Sequence, residues 1–237
     1  MSESAFDDLG LPPAGERITI GRPVRPRDAA TLILIRRDGA KPSVLMGRRH
    51  GGHDFMPGKW VFPGGRIDRS DFRAPYAGNL QPLAAAALEK TAPPARARAI
   101  AMAAIRETFE EAGLLLARPA PVRAGAGPWR EFMAQGAIAD LEALDFVARA
   151  VTPPMSPKRF DARFFMAEAD RLMSLTPQPD CGELDEIAWV ELEEALALDL
   201  PTVTRFVLRE IPLRLADRAR RPPSLQFKRG RQQLEHL

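Results

Sequence analysis

Nine consecutive residues, Arg106-Glu107-Thr108-Phe109-Glu110-Glu111-Ala112-Gly113-Leu114, concentrate the chemistry of this sequence. On a helix, Glu107, Glu110 and Glu111 are related by i, i+3 and i+4, which brings their carboxylates onto one face. Like charges at that spacing destabilise a helix unless something neutralises them. A hard divalent cation such as Mg²⁺ does so, because it takes carboxylate oxygens and usually holds substrate phosphates as well. Arg106 stands four positions before Glu110 and can orient the cluster or neutralise part of it. The competing reading is a solvated acidic face with one ion pair, and the preceding residues argue against it.

Upstream lies Trp60-Val61-Phe62-Pro63-Gly64-Gly65-Arg66-Ile67-Asp68-Arg69-Ser70-Asp71. The first three residues form a short apolar strand; Pro63-Gly64-Gly65 ends it and lets the backbone approach a ligand closely. A strand, a Gly-Gly turn and a carboxylate-bearing helix closed by Gly113 as a left-handed cap suit a phosphate with a metal ion. On these residues the sequence resembles the Nudix hydrolases, whose box runs G-x5-E-x7-R-E-U-x-E-E-x-G-U with U apolar. Arg106, Glu107, Glu110, Glu111, Gly113 and Leu114 match its second half, with Thr108 at a U position. In the first half Gly65 fits, and x5 lands on Asp71, an acid but not the usual Glu. Arg106 follows Gly65 by 41 positions where the box has 14, so 27 residues are inserted. That interruption resembles the branch related to organellar coenzyme A diphosphatases, as do Phe55–Gly65 and Arg159–Phe165. The resemblance covers about residues 28–212.

The resemblance implies an α/β fold: a Nudix-type α/β/α sandwich with a helical insertion between the Gly-Gly turn and the catalytic helix. It implies Mg²⁺- or Mn²⁺-dependent hydrolysis of a phosphoanhydride bond in a nucleoside diphosphate linked to another group X. Coenzyme A or its acyl esters lead as substrate, with ADP-ribose or a dinucleotide as the alternative. Glu107, Glu110 and Glu111 are then the metal carboxylates, helped by the Gly64 carbonyl. Arg106 and Glu107 carry catalytic roles, Glu107 serving either the metal or as general base with Arg106 holding it. Some relatives take their base from outside the box, and Glu183 and Glu186, before Trp189, are candidates. Gly65 and Arg49 are expected to touch substrate. Asp71 corresponds to the box's first acid, which is usually structural. One signature of the better-known coenzyme A branch, a Leu-Leu-Thr strand followed by Ser and Arg, is replaced here by Val44-Leu45-Met46-Gly47-Arg48-Arg49. A function of another class, a catalytically silent ligand-sensing or RNA-binding domain, conflicts with the intact Arg106, Glu107, Glu110 and Glu111.

Composition sets outer bounds. The 237 residues suffice for one domain with additions, and 45% apolar with 27% charged residues is ordinary for a globular protein. No apolar run reaches the length of a membrane span. The start, Met1 to Asp8, lacks the basic and apolar parts of a signal peptide, so a cytoplasmic location is expected. Cys181 is alone, which leaves no intrachain disulfide and no cysteine metal site. His50 and His53 lie in a Gly-rich turn and read as solvated. Formal charge is only +3, yet Arg214, Arg218, Arg220, Arg221, Lys228, Arg229 and Arg231 cluster near the end. Interrupted by Pro222-Pro223 and nearly without aromatic residues, that segment reads as a solvated tail or a homodimer contact rather than a nucleic-acid arm.

The elements that must position the acids follow from pattern. Residues 1–27 form an irregular lead-in, 28–213 the Nudix-like domain with its insertion at about 72–98, and 214–237 the basic tail. Ala29–Arg36 is a strand buried on both faces, and Ser43–Arg48 returns from the Asp38-Gly39 turn as its hairpin partner. In the insertion, Gln81–Thr91 holds good helix formers and is expected beside the active-site mouth. The catalytic helix starts near Pro94 and ends at Ala112. Leu114–Ala117, Arg159–Ala167 and Ile187–Val190 read as strands. Trp129–Gln135, Ile138–Ala143, Glu191–Leu198 and Thr202–Glu210 read as helices.

Overall fold

The computed structural model describes residues 24–52, 56–125, 127–154, 156–177, 184–228 and 231–237. The expected lead-in falls almost wholly outside these residues, as do His53, Cys181 and Glu183.

Strand β1 (Arg27–Arg36) builds both sides of the molecule. Ala30, Leu32 and Leu34 enter one core while Ile33 and Ile35 enter the other, as an unbroken apolar strand must when both sheet faces are covered. β2 (Ser43–Arg49) pairs antiparallel with it, and β9 (Phe160–Glu168) runs parallel from Arg27↔Phe160 to Ile35↔Glu168. Around this centre lies a mixed sheet with β10 (Leu184–Glu191), β8 (Asp145–Val151), β11 (Pro223–Lys228) and β12 (Arg231–His236), in the order β10-β2-β1-β9-β8-β11-β12. Two short strands attach at its side, β3 (Trp60–Val61) on β2 and β4 (Gly64–Arg66) on β1.

Helices α1 (Pro82–Glu89), α2 (Pro94–Ala112) and α3 (Trp129–Ala134) cover the Leu32 face; α4 (Leu192–Ala195) and α5 (Thr202–Ala216) cover the Ile33 face. This is the α/β/α sandwich the sequence implies. α2 begins at Pro94, where a missing N–H costs the first turn nothing. It ends on Gly113 at φ 68°, whose N–H donates to Phe109 O at 2.8 Å. Ile100, Met102 and Ile105 of α2 are fully buried, each contributing about 1.5–3 kcal/mol of apolar burial. That inward side fixes the helix's rotation, and with it the direction its acids face.

Three segments differ from the sequence reading. Ile138–Ala143 is not helical: β7 (Ala137–Asp140) pairs with β6 (Ala117–Pro119) and with β5 (Tyr76–Ala77) in a small second sheet, followed by a 3-10 turn at Leu141–Ala143. Helix formers there yield to cross-strand pairing, and the strand expected at 114–117 starts only at its end. β8 had no sequence expectation, because Ala148-Arg149-Ala150 interrupts its Phe146-Val147 and Val151 signal. The basic segment is not a free tail: from Pro223 it forms β11 and β12, with β11 parallel to β8 at Ser224↔Arg149 and Leu225↔Ala150. No helix among the described residues is long and apolar enough to cross a membrane.

Candidate active site

The register of β4 on β1 sets the site. Ala30 faces Gly65 and Thr31 faces Gly64, so the Gly-Gly pair lies directly over the C-terminal half of α2. Close approach to backbone requires Gly64, while at Gly65 a side chain would have to displace the Glu107 carboxylate. A Cβ on Gly64 would stand 2.5 Å from Ala30 O, and one on Gly65 would stand 2.6 Å from Glu107 Oε1. With no side chain in the way, the Gly64 N–H donates to Glu111 Oε2 at 3.0 Å.

Arg106 is the hub beneath this strand. Its Nη1 donates to Glu107 Oε1 and to Glu110 Oε2, each at 2.7 Å. Nε donates to Asp71 Oδ1 at 2.9 Å, while Nη2 donates to Asp71 Oδ2 at 3.1 Å and to Arg66 O at 2.8 Å. A guanidinium only 3% exposed is thereby fully engaged, as burial of a charge demands. Asp71, 1% exposed, is equally saturated: Oδ1 also accepts Trp129 Nε1 at 2.9 Å, and Oδ2 accepts the Asp68 N–H at 2.7 Å. The latter bond belongs to a reciprocal cap in which Asp68 Oδ1 accepts the Ser70 N–H at the 3-10 turn Arg69–Phe72. The chain thus places its first box acid on Arg106 before the insertion begins. Trp129 was legible only as part of a helix; nothing in its neighbours signals the bond to Asp71.

Charge is unbalanced here. Burial raises the Glu107 carboxyl above its usual range, and the neighbouring Arg106 only partly offsets it; Glu110 is raised for the same reasons in the same order. Burial alone would lower Arg106, but the Asp71 hydrogen bond and the charges of Glu107, Asp71 and Glu110 hold it well above its ordinary value. One guanidinium therefore serves Asp71, Glu107 and Glu110, with Glu111 close by on the Gly64 N–H.

The donor set fits a hard divalent cation in chemistry and charge, being carboxylate oxygens in excess of positive charge. It is not gathered as a ready cage: among the described residues no three His, Cys, Asp or Glu side chains converge in a metal-holding group. Arg106 and the Gly64 N–H hold one oxygen of each acid instead. The second oxygens of Glu107 and Glu110 accept no hydrogen bond from the described residues. The Gly64 N–H bond to Glu111 is separate from the role expected of its carbonyl.

An open cleft of about 2220 Å³ runs from these acids across the sheet. Gly64, Gly65, Arg106, Glu107, Glu110, Glu111 and Arg49 all border it. Glu186 does not: it pairs with Arg48 at 3.4 Å, and its neighbour Asp185 borders the cleft instead. A register shift explains the exchange: Leu184 pairs with Arg49 and Glu186 with Arg48, so Asp185 is the extra residue of a bulge in β10, which re-aims its side chain. Glu183 lies outside the described residues. His50, expected to be solvated, is exposed at the cleft's rim, 3.9 Å from Asp185. The insertion helix α1 contributes nothing to the lining, contrary to its expected place at the mouth; Ala84, Ala87 and Leu88 bury it against Ala97 and Ile100 of α2. Its sequence, rich in alanine, suits close helix packing.

Comparison with known proteins decides the family. No family model matches the chain, and no curated protein matches it. Among solved structures it is similar to a Nudix hydrolase from Alicyclobacillus acidocaldarius, with 30% identity and a TM-score of 0.62 over 81% of this chain and 96% of that one. The chain belongs to the Nudix hydrolase family. This Nudix hydrolase also matches the NUDIX domain of Shewanella oneidensis NrtR, complexed with ADP ribose, at 13% identity and TM-score 0.49 over 91% and 99% of the two chains. RenU, a Nudix hydrolase from M. smegmatis, matches at 18% identity and TM-score 0.45 over 81% and 87%.

Proposed function

We propose that this Nudix hydrolase cleaves the phosphoanhydride bond of a nucleoside diphosphate linked to a further group, with coenzyme A or its acyl esters as the preferred substrate. The observation that carries the reading is the Arg106 hub: one buried guanidinium gathers Asp71, Glu107 and Glu110 under Gly64-Gly65, at the mouth of a cleft large enough for such a substrate. Glu107, Glu110 and Glu111 would hold Mg²⁺ or Mn²⁺, which when bound neutralises phosphoryl charge and lowers the pKa of water. Arg106 fixes Glu107 through one carboxylate oxygen, leaving the other to take the proton of an attacking water. Gly64 and Gly65 let β4 lie close against β1 and the Glu107 carboxylate, which brings their backbone to the border of the cleft beside the acids. Arg49, at the end of β2, borders the same cleft and suits an anionic group.

Coenzyme A is preferred because the interrupted box resembles that branch and because the cleft extends well past the acids. ADP-ribose and dinucleotides are the runners-up. A silent sensing domain is disfavoured by the retained acids, and a nucleic-acid arm by the incorporation of the basic segment into the sheet as β11 and β12. Product analysis tests the reading. With Mg²⁺ or Mn²⁺, coenzyme A should yield phosphopantetheine and adenosine 3′,5′-bisphosphate. AMP from ADP-ribose, with coenzyme A untouched, would refute the preferred substrate and leave the diphosphatase chemistry standing.

A further inference from the structure

The far part of the cleft has a defined floor. Cross-strand register aligns Arg66 with Ala29, Ala29 with Ala162, Ala162 with Ala150, and Ala150 with Leu225. Directly paired residues project from the same sheet face, so three alanines and a leucine form one row from β1 to β11, with Arg66 of β4 at its near end. Ala29, Ala162, Ala150 and Leu225 all border the cleft that holds the catalytic acids. Three inter-strand steps of about 4.8 Å make this apolar row roughly 14 Å long. Two positions along the same strands, larger side chains border the cleft on either side: Phe164 beside Ala162 towards one edge, Phe160 and Phe227 towards the other. Small residues between aromatic ones leave a trough with an apolar floor; Arg66 stands at its near end, and Arg27, Lys158 and Arg159 border the cleft on the Phe160 side.

The far end is made by the last hairpin of the chain. Leu225 and Phe227 lie on β11, and Phe227 pairs with Gln232 of β12, which also borders the cleft. Gln232 Nε2 is buried with no hydrogen-bond partner among the described residues, a state that costs stability unless an acceptor completes it. A trough floored by alanine and leucine is a poor seat for a sugar, whose polar groups would lose water without replacement along that floor. It suits an extended, mainly apolar arm with an occasional carbonyl.

We propose that this trough is the subsite for the group joined to the nucleotide by the diphosphate, and that it selects a long, slender, uncharged arm, with the β11–β12 hairpin as a specificity element. The proposal rests on the diphosphatase reading above. Its test compares coenzyme A with ADP-ribose, whose arms differ in length and polarity, in the full-length protein and two variants. Ala162→Phe fills the trough, and Phe227→Ala removes part of its far wall. The ratio of kcat/KM for coenzyme A to that for ADP-ribose should fall at least about tenfold in Ala162→Phe and about threefold in Phe227→Ala, within the range that pocket-shape changes give. The loss should appear mainly in KM. Circular dichroism establishes folding, and if Ala162→Phe does not fold, Phe227→Ala decides alone. A ratio unchanged within about twofold in a folded variant overturns the trough, as would a wild-type preference for ADP-ribose. Absence of cleavage of both compounds would overturn the diphosphatase reading instead.

Discussion

Replacing Asp71 by alanine separates holding the site together from doing its chemistry. Asp71 accepts four hydrogen bonds: Arg106 Nε at 2.9 Å and Nη2 at 3.1 Å, Trp129 Nε1 at 2.9 Å and the Asp68 N–H at 2.7 Å. Alanine leaves the first, third and fourth donors without a partner; only Arg106 Nη2 keeps another, Arg66 O. Its side chain has no exposed surface, and that of Arg106 is only 4% exposed, so water cannot take its place without opening the structure. Removing one member of a buried ion pair costs about 3–5 kcal/mol. For a chain of this size, at about 2–4 °C per kcal/mol, the melting temperature should fall by roughly 6–20 °C. Asp71→Asn should fall between: one oxygen keeps two bonds, but the amide N–H₂ meets donors on its other side. Urea unfolding followed by tryptophan fluorescence, with Trp129 beside the change, measures the loss. An Asp71→Ala protein within about 1 kcal/mol of the parent would refute the claim that this carboxylate anchors Arg106.

The remaining predictions address chemistry. Glu110→Gln and Glu111→Gln should each lose at least about a hundredfold in turnover, several kcal/mol of transition-state stabilisation, and near-normal rates in either would remove the metal assignment. Because folding raises the Glu110 pKa, its charged form at neutral pH costs the folded state stability; the melting temperature of metal-free Glu110→Gln should therefore stay level or rise. Gly65→Ala places a methyl against the Glu107 carboxylate and should lower turnover about tenfold or more, and an active, unperturbed variant would show that the close approach is dispensable. Added Mg²⁺ should raise the melting temperature, about 2.7 kcal/mol at a hundredfold excess over its Kd, and a flat titration would count against binding at these acids.

Much of the fold was legible because it follows from periodicity. The two-sided apolar run of β1, the hairpin to β2, and α2 with its Pro94 start and Gly113 end all stand where pattern and capping place them. What escaped was decided by partners distant in sequence. Ile138-Ala139-Asp140 has helix-forming neighbours, yet β6 and β5 claim it as a strand. Leu225 and Phe227 alternate with polar residues, but the arginines around them conceal the strand that β8 completes. In the site, helical spacing brought Glu107 and Glu110 together, while the grip of Arg106 on Asp71 across 35 positions could be read only through the family pattern. That Asp185 and not Glu186 borders the cleft depends on the register shift between Leu184 and Glu186 in the pairing of β10 with β2, which no local pattern announces.

The inserted segment shows why an interrupted box can still make one site. Its first half, Gly64 through Asp71, runs from β4 into the 3-10 turn that follows, held by β1 and by the Asp68–Asp71 cap. The second half lies on α2, held by its own buried face. The two halves meet through Arg106 and Asp71, so nothing in the connection has to reach the acids. Lengthening it from 8 to 35 positions is about two doublings, which costs only about 1 kcal/mol of closure entropy. Leu88 alone, 1% exposed, contributes about 1.5–3 kcal/mol of burial in return. The insertion therefore stabilises its own presence by packing on α2, and the geometry it interrupts in sequence is left whole in space.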